Sequence, residues 1–110
     1  MKLRHAIEPR HDSFRDDNFF AMCRDRNVAI VFGDDDEFPT IDADTASFTY
    51  ARLQRMRSDV PTGYDEIALN RFETKARGWS RTGRDSYIFM ITGAKERAPA
   101  AALALQERLR

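Results

Sequence analysis

The chain has 110 residues, 42% apolar and 33% charged, and its 18 Lys plus Arg are balanced by 18 Asp plus Glu, for a formal net charge of zero. That apolar share suits one packed domain over residues 1–110 and excludes wholesale disorder. Balanced charge with scattered arginines argues against nucleic-acid binding and against docking on an anionic membrane, since both need a basic field.

Cys23 is the single cysteine, so no internal disulfide is expected and a reducing compartment fits. The start "MKLRHAIEPR" shows no apolar stretch of the secretory type. No apolar run reaches the ~18 residues of a membrane span. The expectation is a soluble, cytoplasmic protein.

In chain order, "HAIE" at 5–8 reads as a short strand, which Pro9 brings to an end. "DSFRDDNFFAMCRDRN" reads as a helix with acidic residues in its first turn and Asn27 as a C-terminal cap. Phe19, Met22 and Cys23 are expected to share its apolar face. "VAIVF" at 28–32 is apolar without alternation, the pattern of a strand buried on both faces. The run Asp34, Asp35, Asp36, Glu37 follows at once, then a polar connection.

"FTYARL" at 48–53 is a third strand, rich in aromatic and β-branched residues. "DEIALNRFETKARGWS" predicts a helix capped by Asp65, with Leu69, Phe72, Ala76 and Trp79 in one stripe. "SYIFMI" at 86–91 is a fourth strand. Pro99 suits the first turn of a last helix, whose buried face is expected at Ala102, Leu105 and Leu109. About four strands alternating with three helices predict a parallel α/β sheet.

The segments "RHAIEPRHDSF", "NVAIVF" with Asp34 and Asp35, "TASFTYARLQ", "PTGY" and "RDSYIFMITGAKERAPAAALALQERL" occur in the order that the YecE-like family, domain of unknown function 72, shows in its C-terminal half. The chain resembles that family over nearly its whole length. The resemblance implies half of a (β/α)8 TIM-like barrel, strands five to eight, and brings no established activity with it. The family's strand-five pattern survives as Glu8, Arg10 and His11, and its strand-seven pattern as Tyr50, Arg52 and Leu53. Its polar strand-eight tip, commonly "YFNND", is replaced here by Phe89, Met90, Ile91 and Thr92.

In a barrel, function sits at the C-terminal ends of the strands. That rule gathers Glu8, Arg10, His11, Asp34, Asp35, Arg52 and Thr92 on one rim. Glu8 and His11 could act as a general acid/base pair, or as metal ligands joined by Asp34 or Asp35. Alternatively, Glu8 pairs with Arg10 or Arg52, and His11 caps or packs at the helix start. The acidic run could hold a divalent metal as a cofactor, or could be a solvated loop. Arg10 and Arg52, with Arg55 and Arg57 nearby, could clamp an anionic substrate. "TGR" and "TGAK" lack the spacing of a phosphate-binding loop. Cys23 and Trp79 read as core residues.

A half barrel leaves unpaired edges and an uncovered inner face. Closure by a homodimer or by a missing barrel half is therefore expected. Two functional classes stay open. One is a non-catalytic, partner-dependent module. The other is a small metal-dependent or acid/base hydrolase-like enzyme acting on an anionic substrate.

Overall fold

Proline sets the first boundary. β1 spans His5–Ile7, and Pro9 just beyond it has no amide to give to a ladder. The computed structural model describes residues 3–81, 83–91 and 94–110. The expected first helix is divided. A 3-10 turn over Asp12–Phe14 comes first, then α1 over Asp17–Asp25. Arg15 interrupts them with a non-helical backbone, its side chain held by Asp12 at 3.0 Å and by the carbonyl of Thr40 at 2.6 Å. Asn27 follows α1 in the left-handed region at φ 53°, a conformation asparagine tolerates. Its side chain then accepts from the Ser47 amide at 2.7 Å, tying the helix end to the strand that begins at Phe48.

The second expected strand is also divided. β2 covers Val28–Ile30 and β3 covers Phe32–Asp34. The Val31 amide donates to the Ile7 carbonyl at 2.8 Å, so the strand stays with β1 up to that residue. From Phe32 it pairs instead with β4, Phe48–Leu53. β4 in turn pairs with β5, Asp85–Met90. All three pairings are parallel, giving a two-stranded sheet β1-β2 and a three-stranded sheet β3-β4-β5. Among the described residues the count is thus five strands rather than four, because one extended run changes neighbour midway.

α2, Glu66–Trp79, begins where Asp65 accepts from the Ala68 amide at 2.8 Å. Just before it, Gly63 has φ +73°, and a Cβ there would lie 3.0 Å from the Met56 side chain. Glycine lets the loop fold back onto the end of β4. α3, Ala98–Arg108, carries Pro99 in its first turn, as expected.

The helices cover one face of the strands. Leu69, Phe72, Ala101 and Leu105 pack with Phe32, Ala51 and Leu53, and Ile88 and Met90 join from β5; Ala76 of α2 is buried as well. A second cluster joins Cys23 of α1 to Ile30 and Ile41, with Phe19 and Phe20 against it. Two stripe residues differ from expectation. Met22 is exposed because the stripe centres on Phe19, Phe20 and Cys23, about 110° round the helix from it. Ala102 is exposed because α3 turns Ala101 and Leu105, a four-residue step, inward. Trp79 is half-buried at the end of its stripe, edge-on to Phe32 at 5.3 Å between ring centres.

Phe72 lies at the centre of the larger core, 2% exposed and edge-on to Tyr64. Phe72→Ala should therefore cost about 3–5 kcal/mol, read as a lowered midpoint in urea with an unchanged slope.

Candidate functional site

Strand alternation sends every second side chain away from the helices. Phe48, Tyr50 and Arg52 of β4 stand opposite Asp85, Tyr87 and Phe89 of β5 in register, all on that second face. Ala6 and Ala29 pair on the same side. The result is a concave cleft of about 600 Å³, lined in part by Ala6, Glu8, Val31, Tyr50, Arg52 and Tyr87. Its aromatic side chains form two stacks across the strands: Phe48 edge-on to Tyr87 and Tyr50 against Phe89 at 5.2 Å. Tyr87 and Phe89 nevertheless stay 39% and 43% exposed, because among the described residues no helix covers this face.

Two ion pairs bridge the cleft. At the end where the strands begin, Arg4 donates to Asp85 at 2.9 Å and to the Tyr87 hydroxyl at 2.6 Å. Its guanidinium also lies over the Phe48 ring. Towards the strands' C-terminal ends, Arg52 donates to the Glu8 carboxylate. That pair is mostly withdrawn from water, at 25% and 20% side-chain exposure.

The other expected rim residues are placed elsewhere. Arg10 is exposed, its guanidinium 4.7 Å from the centre of the Phe38 ring. His11 is exposed too, and its Nδ1 accepts from the Ser13 amide at 3.0 Å, capping the 3-10 turn. Asp35 accepts from the Glu37 amide at 2.8 Å and lends its carbonyl to Arg55. Thr92 lies outside the described residues.

Asp34 differs most from a solvated loop: it is 5% exposed. As the last residue of β3 it shares register with Leu53, on the helix side of the sheet. The Tyr64 hydroxyl donates to its Oδ2 at 3.1 Å and accepts from the Arg55 amide at 2.9 Å. Arg55 and Arg71 each come within 3.8 Å of its other oxygen. Burial pushes the Tyr64 phenol well above its ordinary range, and the Asp34 charge adds to the rise. This polar cluster joins β3, the loop after β4 and the start of α2.

The structure therefore brings Glu8 and Arg52 together, and sets Asp34 in a separate cleft with Arg55, Arg57, Tyr64 and Arg71. Among the described residues, no group of three or more His, Cys, Asp or Glu is arranged to hold a metal ion. Arg4, Asp85, Tyr87 and Phe89 complete the concave face, and sequence reading did not single them out as site residues. The alternation of Tyr87, Phe89 and Ile91 within "SYIFMI" was the available signal, masked because every position in the run is apolar or aromatic except Ser86.

A family model described as a protein of unknown function, DUF72, matches residues 1–110, the whole chain. No curated protein and no solved structure matches the chain. Among the described residues, no helix is long and apolar enough to cross a membrane.

Two outcomes are expected here. Below the ordinary tyrosine pKa of about 10 the neutral Tyr64 phenol contributes its full stabilisation, which is lost as pH rises beyond that value. Urea midpoints measured across alkaline pH should fall less steeply for Tyr64→Phe than for the native chain. For Glu8 and Arg52, a double-mutant cycle with Glu8→Gln and Arg52→Met should give a coupling of about 1–3 kcal/mol, weakened by salt.

Proposed function

The chain belongs to the DUF72 family, and from that premise we propose that it is a non-catalytic, partner-dependent half of a (β/α)8 barrel. Its four extended runs would correspond to barrel strands five to eight, within one domain over residues 1–110. The observation that carries this reading is the one-sided coverage of the sheet. Helices pack on one face, while the other holds Phe48, Tyr50, Tyr87 and Phe89 around an open cleft. In a whole barrel those side chains would fill the interior. Parallel strands without interruption of direction support the same reading.

In this role Glu8 and Arg52 hold the shape of the barrel mouth, and their paired charges keep each other neutralised where water is scarce. Balanced charge argues against a nucleic-acid partner. A single, buried Cys23 with no second cysteine in the chain to pair with fits a cytoplasmic setting.

A second reading, an acid/base or metal-dependent hydrolase acting on an anionic substrate, takes its support from Glu8 and Arg52 lining the cleft. Arg52 would then exchange Glu8 for the substrate's anion, and Arg10, His11, Asp34 and Asp35 would have to leave their present partners to take part.

An apolar fluorescent dye tests the leading reading. The isolated chain, diluted until it is monomeric, should bind the dye strongly, and Tyr87→Glu with Phe89→Lys should abolish most of that signal. Weak dye binding at every concentration would mean that the chain covers its own concave face, and would overturn the reading.

A further inference from the structure

Resting on that half-barrel reading, we infer that the partner is a second copy of this chain, joined about a two-fold axis that runs parallel to the strands. β1 and β5 each have one strand neighbour among the described residues, on opposite sides of the strand set. Each therefore presents a free row of backbone donors and acceptors. Because all the strands run the same way, such an axis sets β5 of each copy beside β1 of the other with directions preserved. Both edges close at once. Four extended runs from each copy make eight, the number at which side chains fill a barrel's interior. Closed two-fold assemblies of this kind are also the commonest.

Side-chain size and charge agree with this pairing. The β5 edge turns large Tyr87 and Phe89 inward, and the β1 edge turns small Ala6 inward, so bulk meets space. Asp85 stands at the start of β5 and Arg4 just before β1, so opposite charges meet at the same end of the new strand pair. Within one chain these two already attract across the open cleft, at 2.9 Å, with side-chain exposures of 42% and 62%. In the closed pair, Arg4 of one copy reaches Asp85 of the other. The overall charge of zero adds no repulsion between copies.

Charge reversal tests the inference. Arg4→Glu alone puts two acids at each junction, and Asp85→Arg alone puts two cations there. Mixed, the two variants restore one Arg–Asp and one Arg–Glu contact. Light scattering on a sizing column should give the native chain the mass of two copies, each variant the mass of one, and the equimolar mixture the mass of two again. A native mass of one chain, or a mixture that stays at one, overturns the inference; an Arg4–Asp85 pair made only within a chain cannot be rescued by mixing. Should either variant fail to fold, hydrogen exchange of the native chain decides. Amides of β1 and β5 that lose protection on dilution support the dimer, and protection independent of concentration overturns it. A one-chain mass with strong dye binding would leave the half-barrel reading standing with a different partner. A one-chain mass without dye binding would remove both.

Discussion

A parallel strand makes two demands: a neighbour along each edge and a cover over each face. In this chain the helices answer the second demand on one side alone. Phe72, Leu53 and Leu105 are sealed between sheet and helices, while Tyr87 and Phe89, on the same sheet, stand in the open. Everything else about the concave face follows from that asymmetry. The aromatic stacks limit the exposed area by covering one another, and the Arg4 and Arg52 ion pairs draw β1 towards β4 and β5 across the gap. These contacts cover the face in part and leave Tyr87 and Phe89 partly exposed.

The division of the second strand at Val31 serves the same geometry. A single straight strand would hold β1 and β4 as neighbours over its full length. Here the run gives its first half to β1 and its second half to β4. This division also brings Glu8, just past the end of β1, within reach of Arg52 near the end of β4.

The Asp34 cluster shows how polar groups secure the helix-covered side. A buried carboxylate is costly unless it is paired and hydrogen-bonded. Tyr64 supplies the hydrogen bond and two arginines supply charge, each from a different part of the chain. The acidic run 34–37 is therefore heterogeneous: its first member is interior, while Asp36 and Glu37 are exposed.

Much of the architecture could be read from residues near one another in the chain. β4, α2 with its Asp65 cap, and α3 with Pro99 in its first turn fall where local signals put them. The pairing of Glu8 with Arg52 was one of several alternatives open on the sequence, as was a capping or packing role for His11. The separation of Asp34 from Glu8, which the barrel rule had put on one rim, was less accessible. The barrel rule gives the height of a residue along a strand, whereas the side on which it emerges depends on alternation counted from the last covered residue. Gly33 and Arg52 share a register position on one side, and Asp34 and Leu53 share one on the other.

By itself the sequence carried the resemblance to the family and the alternation of strands and helices, because these rest on motifs and short-range pattern; the uncovered sheet face was what the resemblance implied. Tertiary structure decided which residues meet. The break at Val31, the burial of Asp34 and the reach of Arg4 to Asp85 all join positions far apart in the chain. Such contacts depend on how strands stagger and curve together, a property of the whole sheet that no single segment carries.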